Sequence, residues 1–218
     1  MTQFLLYVEN ISKFSKSDID EGKIPPDVNT ICLCIKNVFC LSYSIRKNNI
    51  LFIYVINHNF MIKFEGKTLR YLGPDVRSQS LLLIKALNRF DEKIIFENKN
   101  NWIQSTPGIF IKKLHSDQNI INVFKSLNNE MIFFFNEDYL NPDNIGTIPD
   151  KLYIKLENYI LIFPLNVFKT ENLNFLRHLT NYKNTLSYKL PYIKSVQDKI
   201  LYINFQIDRF KDKNKITS

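Results

Sequence analysis

The stretch that decides the fold is residues 27–57, DVNTICLCIKNVFCLSYSIRKNNILFIYVIN. Its first part carries apolar side chains about 3.6 positions apart, the spacing of a helix that buries one face. These side chains are Val28, Ile31, Ile35, Val38, Phe39 and Ile45. We therefore predict a helix capped by Asp27 and ended by the polar run at residues 46–49. Residues 50–57 are apolar, β-branched and aromatic, which is typical of a strand buried on both faces.

The rest of the chain repeats this alternation. Strands are predicted over residues 3–8, 61–64, 68–72, 109–112, 131–135, 159–163 and 185–187, with residues 61–72 forming a hairpin. Helices are predicted over residues 77–90, 120–127, 170–180 and 191–210, and residues 102–108 are predicted as a loop. The alternation indicates an α/β fold with a mostly parallel sheet flanked by helices. We expect one domain over residues 1–210 and a basic, frayed tail over residues 211–218.

Composition narrows the class of protein. The chain has 218 residues, of which 45% are apolar and 23% are charged, and this excludes fibrous, disulfide-scaffold and wholly disordered classes. No apolar run approaches the roughly 20 residues that a membrane span needs, and residues 1–10 do not resemble a signal peptide. We therefore expect a cytosolic protein with no membrane partner. Cys32, Cys34 and Cys40 lack a second pair that would complete a zinc site, so we expect buried thiols and no metal.

The net charge of +8 is unevenly distributed. Residues 151–218 hold twelve lysines and arginines against five acidic residues, which is +7, so the first 150 residues contribute +1. A basic segment can follow a phosphate backbone. The alternative is that the lysines only keep the surface soluble.

Three short segments carry a more specific signal. They are residues 29–47 (NTICLCIKNVFCLSYSIRK), residues 72–78 (LGPDVRS) and residues 104–110 (QSTPGIF). In order and separation they resemble the archaeal-type tRNA pseudouridine N1-methyltransferases (TrmY) of the SPOUT superfamily. The family patterns resemble D-x-L-C-R-C-x-x-x-x-F-F-L-S-H-x-I-R, S-P-D-E-R-S and S-T-P-G-[IV], and the likeness covers about residues 1–115.

This resemblance implies a C-terminal trefoil knot, a homodimer, S-adenosylmethionine as cofactor and methylation of pseudouridine at position 54 of tRNA. It implies catalytic positions at Asn29, Arg46, Asp75 and Arg77, and RNA-binding positions at Ser105, Thr106, Lys112 and Lys113. Asn29 stands where the family has an aspartate, so a carboxylate base is lost there. Local roles remain open beside these: a helix end for Arg46, capping with an ion pair for Asp75 and Arg77, and a tight turn around Ser105.

The C-terminal third departs from the family in the part that binds the cofactor. Aligned to the family, the implied cofactor positions are Phe135, Phe163, Leu165, Val167, Leu186, Ser187, Tyr188, Lys189, Leu190 and Asp198. In this alignment, residues 163–167 form a loop in which two family glycines are replaced by larger residues. The chain has five glycines, and none lies beyond Gly146. Larger residues fill space where glycine lets backbone approach a ligand.

Three hypotheses remain from the sequence. The first is a diverged S-adenosylmethionine-dependent tRNA methyltransferase. The second is a catalytically inactive RNA-binding homologue that has lost the cofactor-loop glycines. The third is a structural subunit that uses its basic C-terminal third against an RNA or protein assembly.

Overall fold

Eight strands and five α-helices make up the part of the chain that the computed structural model describes, residues 1–42, 44–91, 101–114, 130–134, 148–153, 155–165, 185–188, 190 and 192–216. The strands are β1 (Thr2–Val8), β2 (Asn49–Val55), β3 (Phe60–Glu65), β4 (Ile103–Thr106), β5 (Ile109–Lys113), β6 (Glu130–Phe134), β7 (Tyr159–Leu165) and β8 (Thr185–Tyr188). The helices are α1 (Lys16–Asp20), α2 (Pro26–Phe39), α3 (Val76–Asp91), α4 (Asp150–Tyr153) and α5 (Val196–Ile216). In this part of the chain no helix is long and apolar enough to cross a membrane.

All eight strands form one sheet in the order β4-β5-β3-β2-β1-β7-β6-β8. The half that contains β2, β1, β7, β6 and β8 is parallel. The half that contains β2, β3, β5 and β4 is antiparallel. The mixed α/β fold is therefore confirmed, and four of the seven pairings are parallel, as a mostly parallel sheet requires.

The two central strands explain why the sequence folds this way. Every residue of β2 is buried, and β1 is buried at every position except Gln3, which is half-buried. Such strands read as unbroken apolar runs because both faces are covered. The core continues across the parallel half, where Phe163 stacks on Phe134 with ring centroids 4.9 Å apart.

The predicted helix over residues 27–45 is wrong at its C-terminal end, because α2 stops at Phe39. Cys40 is extended and forms a bridge with Ile45, and the backbone N–H of Arg46 donates to the Phe39 carbonyl. The chain therefore doubles back, although the apolar spacing continues. At the other end Pro25, rather than Asp27, is the N-cap residue.

Other boundaries also differ from prediction. Residues 68–72 are not a strand; β3 instead forms its hairpin with β2, and β4 occupies most of the predicted loop at residues 102–108. The β7 strand continues to Leu165, and α5 continues to Ile216, so the predicted frayed tail is mostly helical. The helices predicted over residues 120–127 and 170–180 lie outside the described residues. The predicted strands around β1, β2, β5, β6 and β8, and the predicted helix around α3, are confirmed.

Candidate functional site

The three motif segments pack together at the end of the sheet where β1 and β2 begin. The Cys40 thiol lies 3.8 Å from the Gly73 carbonyl oxygen, which joins the first segment to the second. The third segment joins through the end of β3: the backbone N–H of Glu65 donates to the carbonyl of Gly108, 2.8 Å away, and that of Gly66 donates to the carbonyl of Asn49, just after the first segment. The motifs that are far apart in sequence therefore form one structural unit.

The second segment is a capped helix start. The Asp75 carboxylate accepts from the backbone N–H of Ser78 at 2.8 Å, which is the N-cap bond of α3. The Ser78 hydroxyl accepts from the Gly73 N–H and donates to the Tyr71 carbonyl. Gln79 closes the turn with a bond from its amide to the Gly73 carbonyl.

The two arginines among the predicted catalytic residues are held by ion pairs. Arg46 makes two hydrogen bonds of 2.7 Å to the Asp208 carboxylate, and its side chain is 17% exposed. Arg77 contacts Asp20 at 2.6 Å near the surface. The helix-end role expected for Arg46 is wrong, because α2 ends seven residues earlier, at Phe39.

The predicted catalytic residues do not form one cluster. Asn29 is half-buried near the start of α2, whereas Arg46 follows its C-terminal end. Ten residues of helix separate Asn29 from Phe39, which is roughly 15 Å along the axis. Asp75 and Arg77 lie at the start of α3. This start is beside the C-terminal end of α2, where Cys40 contacts Gly73.

The predicted RNA-binding residues lie in two places: two at the end of β4, next to the start of β5, and two at the end of β5. Ser105 and Thr106 precede the turn into β5, and their buried hydroxyls have no hydrogen-bond partner in the described part of the chain. Lys112 and Lys113 end the strand, roughly 13 Å away along it. Lys113 donates to the His58 carbonyl at 2.6 Å and lies 5.0 Å from the centre of the Phe90 ring, and burial lowers its pKa.

Two of the described cofactor positions, Leu165 and Tyr188, lie at the carboxyl ends of β7 and β8, and β6 lies between these strands. These three strands are neighbours and run parallel, so their carboxyl ends meet at one edge of the sheet. Leu165 ends β7 and is 7% exposed, whereas Tyr188 ends β8 and is half-buried, which raises its pKa. Crevices beyond the carboxyl ends of parallel strands are where α/β proteins commonly bind ligands.

Phe163 requires a correction. It lies inside β7, not in a loop, and its side chain is fully buried between Phe4 and Phe134. Leu165 also belongs to the strand. The strand is therefore longer than the alignment assumed, because residues 163–165 pair with β1 as far as Val8.

The other described cofactor positions lie within β8, just after it, and in α5. Leu186 and Ser187 pair with Ile132 and Phe133 of β6, and Leu190 packs partly against the core. Asp198 lies in the first turn of α5 and accepts from the Ser195 hydroxyl. Phe135, Val167 and Lys189 lie outside the described residues.

Sequence reasoning missed one charged side chain in this region. Lys199 of α5 is 2% exposed, although lysine is rarely buried. Helical spacing could have predicted this burial. Lys199 lies three residues after Val196 and four before Ile203, so all three side chains lie on the same face of the helix, and both apolar neighbours are buried. Among the described residues, no group of three or more histidine, cysteine or acidic side chains could hold a metal ion.

The fold resembles that of a solved structure. It superposes on Archaeoglobus fulgidus Nep1 bound to S-adenosylhomocysteine with a TM-score of 0.55, covering 97% of this chain and 100% of that one at 12% identity. At that identity the likeness defines the class of fold, an α/β fold of the SPOUT type, and nothing finer. The chain belongs to the family described as putative SAM-dependent RNA methyltransferases, whose match covers residues 1–138.

Curated relatives agree with the motif resemblance. The tRNA (pseudouridine(54)-N(1))-methyltransferase of Methanocaldococcus jannaschii is 32% identical over 106 residues, covering 46% of this chain and 51% of the relative. The enzyme of that name from Haloferax volcanii is 35% identical over 101 residues, covering 46% and 48%. That of Methanocella arvoryzae is 28% identical over 157 residues, covering 64% and 78%. The chain therefore spans about half the length of the first two relatives.

Proposed function

We propose that this protein is an S-adenosylmethionine-dependent methyltransferase that modifies N1 of pseudouridine 54 in tRNA, in the cytosol. The observation that carries the proposal is that two of the aligned cofactor positions, Leu165 and Tyr188, end the parallel strands β7 and β8 on either side of β6. Family membership and the activity named for the relatives support it.

The side chains at this edge suit the cofactor. Leu165, Leu190 and half-buried Tyr188 offer apolar surface for an adenine ring, and Ser187 and Asp198 offer polar atoms for a sugar or an amino group. Adenine carries a flat apolar face and polar edges, which such a mixture accommodates. Phe163 is buried in the core and is therefore not assigned to the cofactor.

Methyl transfer requires the two reactants to be held in line and needs no covalent bond between the protein and the substrate. When bound, S-adenosylmethionine supplies an electrophilic methyl group on sulfur. Bound at this edge, the cofactor would supply the methyl group to N1 of the base, the N1 proton would be released to solvent, and S-adenosylhomocysteine would leave as the second product. The protein's part is to hold the base in line with that methyl group and to exclude water. Asn29 has no carboxylate and is not the base in this scheme.

The proposal includes a homodimer. On α5, Leu201 and Phe205 lie four residues apart and are 51% and 60% exposed, so the helix presents an apolar stripe to solvent. A second copy of the same helix would cover it. Sedimentation of the wild type and of Phe205→Asp checks this: a dimer that becomes a monomer supports the proposal, and a wild-type monomer contradicts it.

Calorimetry with S-adenosylmethionine tests the cofactor assignment first. We expect micromolar binding by the wild type, a loss of at least about tenfold in Tyr188→Ala, and little change in Tyr71→Ala. Both substitutions remove a tyrosine ring. Tyr71, however, is 77% exposed and precedes α3, at the opposite end of the sheet from Tyr188.

Methyl transfer is then measured on tRNA transcripts that carry pseudouridine or uridine at position 54. Transfer to the pseudouridine transcript alone supports the proposal. No heat at millimolar cofactor, together with salt-sensitive tRNA binding, would instead favour the inactive RNA-binding homologue. That alternative is motivated by the lack of glycine beyond Gly146.

A further inference from the structure

A second crevice lies at the carboxyl ends of β1 and β2. It is an open pocket of about 290 Å³. Its apolar wall includes Val55, Phe60, Leu87 and Phe90, and its polar rim includes Asn10, Lys13, His58 and Asn88. Neither the motifs nor the cofactor alignment refers to these residues.

The aromatic wall is a fixed platform. The rings of Phe60 and Phe90 lie with their centres 4.3 Å apart, and the His58 ring lies 6.3 Å from Phe60. Phe60 is 2% exposed, whereas Phe90 is half-buried and so offers part of its ring to the pocket. Flat heteroaromatic ligands gain affinity by packing on such rings.

The rim is held in place by hydrogen bonds that join the segment after β1, the turn between β2 and β3, and the end of β5. His58 Nε2 lies 3.0 Å from the Asn10 side-chain oxygen. Because an amide oxygen only accepts, the imidazole donates, and the Asn10 amide nitrogen keeps its own donors. Lys113 donates to the His58 carbonyl, and the Asn57 N–H donates to the Glu9 carbonyl. The rim therefore keeps the Asn10 amide nitrogen as a donor, and the exposed Asn88 side chain beside it has both a donor and an acceptor for the edge of a nucleobase.

Charge at the rim suits a phosphate. Lys13 is exposed at the pocket mouth. The Asp27 carboxylate accepts from the Ser12 backbone N–H at 2.7 Å and is held at the first turn of α2, where the helix dipole favours its charge, so Lys13 is the side chain that would bind a phosphate.

The pocket is also within reach of the proposed reaction. In the sheet β1 lies between β2 and β7. The carboxyl end of β2 is therefore two strand spacings, about 10 Å, from that of β7. Neighbouring nucleotides of an unstacked RNA strand can cover such a distance.

We propose that this pocket binds one nucleotide of the RNA that flanks the methylated base, with the base on Phe90 and the phosphate near Lys13. The proposal rests on the function proposed above. It explains why Lys113, an expected RNA-binding residue, contacts the pocket wall at His58 and Phe90 instead of projecting into solvent.

The first test is a titration of the full chain with uridine monophosphate, in which NMR measures the binding. We expect Phe90→Leu, which removes the ring but keeps an apolar side chain, to weaken binding about tenfold. Lys13→Gln and Lys85→Gln remove the same charge from exposed positions, but only Lys13 lines the pocket. We expect the first to weaken binding severalfold and the second to leave it unchanged.

Equal binding by the wild type, Phe90→Leu and Lys13→Gln would overturn the proposal. Displacement of uridine monophosphate by S-adenosylmethionine would also overturn it, because the pocket would then be the cofactor site. In the methylation assay Phe90→Leu is expected to raise KM for tRNA about tenfold with kcat unchanged, since a flanking contact acts equally in ground and transition states. A wild type that binds no S-adenosylmethionine contradicts the proposed function, whereas the nucleotide titration separately tests the pocket.

Discussion

Arg46 and Asp208 face each other through two hydrogen bonds, each 2.7 Å long, although 162 residues separate them in the chain. The pair ties the turn after α2 to the last helix. Beside it, the Asn204 amide donates to the Asn37 carbonyl, and Asn49 donates to the Val38 carbonyl. The first motif segment is therefore fastened to α5 by polar contacts as well as by the core.

We expect Arg46→Ala and Asp208→Ala each to lower the free energy of unfolding by roughly 1–2 kcal/mol. The pair is two-pronged and half-buried, which places it between exposed and fully buried ion pairs. Urea unfolding of both single variants and the double variant measures the coupling. Asp212→Ala, which removes the same charge from an exposed position on α5, serves as the control. Loss of methyl transfer in Arg46→Ala without loss of stability would restore a catalytic role for Arg46.

Gly108 is required by its surroundings, and Gly22 provides a comparison. Both have positive φ, +80° and +70°. A Cβ atom on Gly108 would lie 2.3 Å from the Leu69 backbone, whereas one on Gly22 would meet nothing within 4 Å. We expect Gly22→Ala to cost about 1 kcal/mol for its φ alone, and Gly108→Ala to cost at least about 3 kcal/mol because backbone must also move. Similar melting temperatures for the two variants would contradict this.

Periodicity was sufficient for the elements whose burial is regular. β1, β2 and α3 could be predicted because each element has the same kind of surroundings along its whole length, so its apolar side chains follow a regular pattern. The end of α2 was missed because apolar spacing continues through Ile45, and the tertiary contacts of Arg46 and Asn49 determine where the chain turns. The β4 strand, Ile103–Thr106, could not be predicted because it is short, has polar Gln104 and Ser105, and runs directly into the turn residues Pro107 and Gly108; it forms by pairing with β5.

The candidate site was predictable only in part. The motif segments could be found in sequence, but their partners Asp20 and Asp208 could not, because nothing local links them. The cofactor edge depended on an alignment that placed Phe163 in a loop, and only the pairing of β7 with β1 shows that it belongs to the core. The pocket beside His58 combines residues from the segment after β1, from β2, from β3 and from α3, which no single motif contains.

The buried thiols predict a loss of stability at alkaline pH. Burial raises the pKa of Cys32 to about 11, and the pKa of Cys34 is raised further. The unfolded chain loses these protons near pH 9, so above that pH the unfolded state is favoured, and stability falls as the pH rises through 11. We expect Cys32→Ala to flatten this fall by roughly 1 kcal/mol at pH 10. Urea unfolding at pH 7, 9 and 10 checks it, and parallel curves for wild type and variant would contradict it.

Asp75 offers a test that separates capping from chemistry. Its carboxylate accepts from the Ser78 backbone N–H, and an asparagine oxygen can make the same bond without the charge. We expect Asp75→Ala to lower the free energy of unfolding by about 1 kcal/mol, while Asp75→Asn stays within a few tenths of the wild type. Because the capping role needs an acceptor and not a charge, methyl transfer by Asp75→Asn should match the wild type. A variant that folds with full stability but loses kcat more than tenfold would show that the Asp75 charge takes part in the reaction.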